Sequence, residues 1–145
     1  MRTRLCVAAL AVVALIVANS LRAADEKPAL KCPVSGKAVD ATKTVSFNGG
    51  KVAFCCENCP NAFNANSAKF AGKANLQLVQ SGQLTQVKCP LTGRPMAADK
   101  TVEVGGVKVA VCCGNCLAKA SKASGDEQIN LLFSDTSKGF KAASK

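Results

Sequence analysis

Between residues 44 and 54 apolar and polar side chains take turns along the chain. Thr44-Val45-Ser46-Phe47 alternates, Asn48-Gly49-Gly50 interrupts, and Lys51-Val52-Ala53-Phe54 alternates back. That is the pattern of two half-buried strands joined by a glycine turn. It returns at Thr101-Val102-Glu103-Val104, Gly105-Gly106 and Val107-Lys108-Val109-Ala110-Val111. Val45, Phe47, Val52 and Phe54 are predicted to share one face and to be core, as are their counterparts. Past each hairpin the period lengthens. Asn58 to Asn64, carrying Phe63, reads as a short helix, and Ser67 as the N-cap of a longer one running through Leu76 and Val79 toward Gly82. In the second copy Cys116-Leu117-Ala118-Lys119-Ala120 stands for the first helix, and Ser124 heads a stretch with Ile129, Leu131, Leu132 and Phe133. Leu84 to Lys88 reads as a short extended link between the copies. These elements predict a small α+β fold.

The recurrence extends to the cysteines. Lys31-Cys32-Pro33-Val34-Ser35-Gly36-Lys37 is matched by Lys88-Cys89-Pro90-Leu91-Thr92-Gly93-Arg94, and Phe54-Cys55-Cys56-Glu57-Asn58-Cys59 by Val111-Cys112-Cys113-Gly114-Asn115-Cys116. The offset is 57 residues at each cysteine (89 − 32, 112 − 55, 116 − 59). A gapless repeat through both clusters marks one duplicated unit whose thiols keep a fixed geometry. The second copy drifts toward its end: Ala120 replaces Phe63, and Asn130 matches Asn75 only after a two-residue deletion.

The first residues follow a different rule. Met1-Arg2-Thr3-Arg4 is basic, Leu5 to Ala18 is apolar and uncharged, and Leu21-Arg22-Ala23 offers a small residue for cleavage. This is the pattern of a signal peptide over residues 1–23, with an uncleaved anchor helix as the alternative. Cys6 lies at the start of the apolar run and would leave with it, so eight of the nine cysteines remain. Without Arg2, Arg4 and Arg22, 16 basic residues stand against 9 acidic ones, a formal +7. The lysines are scattered and no aromatic residues alternate with them, so nucleic-acid binding is not expected. A unit of this size buries too little apolar surface to be stable on its core alone, and the six Phe are the whole aromatic content. A cross-link or a metal is needed.

Cys32-Pro33-x-x-Gly36 has the shape of a metal knuckle, a tight turn whose amides point at the thiolate, with Gly36 supplying a positive φ. The second cluster falls at a helix start, where free amides and the helix dipole lower cysteine pKa. Cys55 and Cys59 lie four apart, and Cys56 and Cys59 three apart, so either pair can face one side of that turn. Cys32, Cys55 and Cys59 make three ligands, and Cys89, Cys112 and Cys116 three more. Ser35 and Thr92 hold the place of a second knuckle cysteine, and no histidine exists in the chain. Either Cys56 and Cys113 complete four-sulfur sites suited to zinc, or three thiolates face an open position better suited to Cu(I). Two other readings compete. Export permits a disulfide-stapled interaction domain. Cys56-x-x-Cys59 and Cys113-x-x-Cys116 at helix starts could also serve a thiol–disulfide oxidoreductase, although no βαβ context or general base accompanies them.

Cys-Pro-Val-Ser-Gly-Lys, a glycine-turn hairpin, and then Phe-Cys-Cys-Glu-Asn-Cys-Pro-Asn-Ala-Phe are similar to the TRASH and YHS family of metal-binding modules. Cys32, Cys55 and Cys59 match that pattern, as do Cys89, Cys112 and Cys116, and Phe54 and Phe63 match its flanking aromatics. The resemblance implies two tandem treble-clef-like modules, at 31–82 and 88–141, each a Cys knuckle, β-hairpin and short helices. It implies one soft ion per module, zinc or copper(I), for trafficking, storage or structural use. A non-enzymatic, secreted or periplasmic protein is expected, not embedded in a membrane after signal cleavage, with a metal transporter or another exported protein as partner.

Overall fold

The computed structural model describes residues 28–144, so the predicted signal peptide and Cys6 lie outside the described residues. Two hairpins stand where the alternation placed them. In the first, β1 (Asp40–Phe47) pairs antiparallel with β2 (Gly50–Phe54), with Val45 opposite Val52. β1 starts earlier than expected because the register shifts between Asp40 and Thr44, bringing Asp40 opposite Phe54. Helices α1 (Asn58–Ala65) and α2 (Ser67–Gln80) follow, then β3 (Leu84–Gln86). The second hairpin, β4 (Thr101–Val104) with β5 (Val107–Ala110), leads into α3 (Gly114–Lys122), α4 (Gly125–Phe133) and β6 (Phe140–Ala142). The described residues therefore form a small α+β fold of four helices and three antiparallel strand pairs.

Two details correct the expectations. The N-cap of α2 is Asn66, whose side chain accepts from the Lys69 N–H, and Ser67 is the first helical residue. Leu84–Gln86 is more than a link, since β3 pairs antiparallel with β6 and Gln86 lies opposite Phe140. The chain end thus folds back onto the segment between the repeats.

Packing crosses the repeat boundary as well. Phe63, 1% exposed, centres the first core. The ring of Phe47 meets it edge-on at 5.1 Å and Phe54 tilts against it at 5.4 Å, both favourable arrangements. The second core joins Val104, Val109, Ala120, Leu132, Phe133 and Phe140 to Leu76, which belongs to α2 of the first repeat. Helices α2 and α4 pack against each other at Gly72, where a Cβ would come within 2.5 Å of the Asn130 side-chain oxygen. Asn75, fully buried, accepts from the Asn48 amide at 2.7 Å and donates to the Phe133 carbonyl at 2.7 Å. A buried amide with both ends satisfied fixes register between the first hairpin turn and the end of α4. Among the described residues no helix is long and apolar enough to cross a membrane.

Candidate metal centre

Each site is assembled from a turn and a helix start. In the first turn the Cys32 N–H donates to the Lys37 carbonyl at 2.8 Å and the Gly36 N–H to the Cys32 carbonyl at 2.8 Å. The second repeats this with Cys89 N–H to Arg94 at 2.9 Å and Gly93 N–H to Cys89 at 2.8 Å. Gly36 (φ 72°) and Gly93 (φ 70°) occupy the left-handed region, as the turn demands of them. The hairpin then delivers Cys55 directly after Phe54 and Cys112 two residues after Ala110, and Cys59 and Cys116 follow in the first turns of α1 and α3.

The sulfurs of Cys32, Cys55 and Cys59 all lie within 4.8 Å of one another, and so do those of Cys89, Cys112 and Cys116. Cys55 and Cys59 are 3.7 Å apart, as are Cys112 and Cys116. An ion about 2.3 Å from each of two thiolates sets them roughly 3.8–4.0 Å apart, so both edges are close to the span that one shared ion requires. All eight described cysteines are free. Either triad could hold a metal ion. Cys56 and Cys113 stand beside the triads, Cys56 at 3.4 Å from Cys59 and Cys113 at 3.7 Å from Cys112.

Ser35 and Thr92, at the place of a second knuckle cysteine, are turned into the sites. The Ser35 hydroxyl is 3.1 Å from Cys55 Sγ, and the Thr92 hydroxyl 3.3 Å from Cys112 Sγ. Burial pushes the Cys32 thiol up, but the Ser35 hydroxyl and the amides of Ser35, Cys55 and Val34 outweigh it and bring it down to about 6. Cys89 goes down to about 7 against the same burial, through the Thr92 hydroxyl and the amides of Cys112, Leu91 and Thr92. Cys59 is pushed up to about 12 by burial first, then by its bonds to Cys56, Cys55 and Cys32 and by the charge on Cys32. Cys116 rises to about 12 for the corresponding reasons. A metal-free triad therefore holds one thiolate whose charge the neighbouring thiol shares by donating its proton, and a cation would displace that proton.

Two residues that no motif pointed to hold the turn and the hairpin together. Gln77, 2% exposed on α2, accepts from the Ala53 N–H at 2.7 Å and donates at 2.9 Å both to the Ala53 carbonyl and to that of Lys31. Gln86, on β3, accepts from the Ala110 N–H at 2.9 Å and donates to the carbonyls of Ala110 at 2.6 Å and Lys88 at 3.1 Å. Ala53 and Ala110, like Lys31 and Lys88, are equivalent positions, and each precedes a triad cysteine by one or two residues. Both glutamines thus fix the distance between the first triad ligand and the second.

A small α+β fold carrying two cysteine triads defines the class that these residues establish. Comparison with known protein families, curated proteins and solved structures gave no match.

Proposed function

We propose that this chain is a metal carrier that binds one soft ion at each triad, Cys32–Cys55–Cys59 and Cys89–Cys112–Cys116, for trafficking or storage. The observation that carries the reading is the gathering of three sulfurs within 4.8 Å in both repeats. Cu(I) is preferred over zinc. Three thiolates without a histidine suit a soft monovalent ion, and the position where a tetrahedral site would take its fourth sulfur carries a hydroxyl in both copies. The TRASH/YHS-like order of knuckle, hairpin and helix supports two treble-clef-like modules at 31–82 and 88–141. The basic start and apolar run before Ala23 support export to the periplasm or beyond, with a metal transporter or another exported protein as partner. No catalytic step is assigned to the chain.

Native mass spectrometry with thiol counting tests the proposal. Protein reconstituted with Cu(I) should carry two ions, and Cys32→Ser should lose about one equivalent while the second site stays loaded. A chain that binds neither Cu(I) nor zinc, with eight cysteines that resist alkylation until reduced, would refute the metal reading.

A further inference from the structure

The two triads do not use every sulfur beside them. Cys56 sits 3.4 Å from Cys59 and Cys113 sits 3.7 Å from Cys112, nearly the separation of the triad edges themselves. Each is therefore within bridging distance of an ion held by the neighbouring triad sulfur, while standing outside the mutually close set. Accessibility divides the sulfurs further. Cys32, Cys59, Cys89 and Cys116 are buried, whereas Cys55, Cys56, Cys112 and Cys113 are half-buried and form the solvent side. On that side Cys55 and Cys112 are tied to the hydroxyls of Ser35 and Thr92. Cys56 and Cys113 instead lie against other thiols, Cys59 and Cys112.

We propose that Cys56 and Cys113 are exchange thiols, which take the ion over from the triad they border and present it to a thiolate donor on a partner. This rests on the metal-binding reading above. Soft ions move between sulfurs by replacement, a new metal–sulfur bond forming as an old one breaks. Cys56 Sγ bonds to the ion while one buried sulfur lets go. Partner thiolates then add one at a time on the solvent side, each displacing one protein sulfur. One bond forms for each one broken, the ion keeps its oxidation state, and each arriving thiol gives up a proton as each released cysteine gains one. Loading is the reverse path. The recurrence of the arrangement in both repeats, although Glu57 is replaced by Gly114 beside it, singles out the thiol as the retained feature. The class of partner follows from the chemistry: a protein or small molecule offering thiolates, delivered from the side of Cys56 and Cys113.

Kinetics distinguish an exchange thiol from a resident ligand, because a group that serves only the path speeds loading and release alike. The probe is Cu(I) itself, loaded from its glutathione complex and withdrawn by excess bathocuproine disulfonate in stopped flow. The Cys56→Ala, Cys113→Ala double variant should slow both directions by about tenfold or more and by the same factor. Each single variant should slow one of two phases. The space-filling Cys56→Ser, Cys113→Ser pair should behave likewise, and far-ultraviolet circular dichroism checks that both variants fold. In the loaded wild type, iodoacetamide should label Cys56 and Cys113 while the triads are shielded. Faster release with weakened affinity would make these cysteines resident fourth ligands, and unchanged rates or shielded thiols would make them packing residues; each overturns the proposal. A wild-type protein that binds no Cu(I) overturns the metal reading instead.

Discussion

In the first repeat the amide that joins turn to hairpin comes down from the long helix, Gln77 on α2; in the second it comes from Gln86 on the strand between the repeats. The three backbone groups served are equivalent in the two copies, but the glutamines are not. The position 57 residues after Gln77 is Ser134, and the one 57 before Gln86 is Ala29. The cores diverge in the same manner. Phe47, Phe54 and Phe63 cluster within the first repeat, while the second has Ala120 in place of Phe63 and fills its centre with Leu76, Phe133 and Phe140. What stayed constant through the duplication is the placement of three sulfurs and the backbone that carries them. The packing that supports this placement has been rebuilt from whatever element lies nearest. The second site consequently depends on chain from both repeats and on the strand pair β3–β6.

Breaking the aromatic core separates the copies most sharply. Phe63→Ala should cost about 3–5 kcal/mol in chemical denaturation, since a fully enclosed ring leaves a cavity that three neighbouring rings cannot all collapse into. Matching the first copy in the second should not help. Ala120 is already fully buried, so Ala120→Phe should destabilise by about 1–3 kcal/mol through overpacking. A gain in stability from Ala120→Phe would show that the second core holds unused space.

The glutamines test the comparison at the sites themselves. Gln77→Leu strands the N–H and carbonyl of Ala53 and the carbonyl of Lys31, and should cost about 1–3 kcal/mol. Its effect on metal affinity should fall on the first site alone. Gln86→Leu should weaken the second site and leave the first loaded. Titration with Cu(I), read beside denaturation curves, checks both; equal losses at the two sites from either variant would mean that the amides act on global stability and not on ligand spacing.

How much of this was legible in the chain depends on the range of the contact. The hairpins, the glycine turns at Gly36 and Gly93 and the helix starts after the double cysteines depend on neighbours in sequence, and the structure places them as expected. The triads were legible because duplication preserved their spacing. Asn66 takes the cap position expected of Ser67, because two adjacent residues can both accept a backbone hydrogen bond and only tertiary geometry selects one. β6 was missed because three residues carry no period, and its partner lies far back in the chain. The glutamines left no signal, because non-equivalent positions escape a search for repeats. Gly72 was the overlooked clue. A glycine inside a good helix costs about 1 kcal/mol against alanine, and its reason is the crossing of α4.

The smallest expected difference is one of pH. In the metal-free protein Cys32 falls from its ordinary 9.0 to about 6, and Cys89 to about 7. Between the folded and unfolded values the unfolded chain still binds the proton and the folded chain does not, so stability rises with pH. Cys32 contributes from about pH 6 to 9 and Cys89 from about pH 7 to 9; both contributions are lost as the pH falls through the folded values. Cys59 and Cys116 act in the opposite sense. Raised to about 12, they favour the folded state below pH 9 and lose that contribution as the pH climbs from 9 to 12. The urea midpoint of the metal-free protein should therefore rise through neutral pH, peak near pH 9 and decline above it. Cys32→Ser should move the onset of the rise up by about one pH unit, leaving the Cys89 contribution. It should also shallow the decline, because the Cys32 charge is part of what lifts Cys59. Cys89→Ser should keep the earlier onset. If both variants shift the onset equally, the hydroxyls of Ser35 and Thr92 do not distinguish the two sites, and the asymmetry of the repeats ends at their packing.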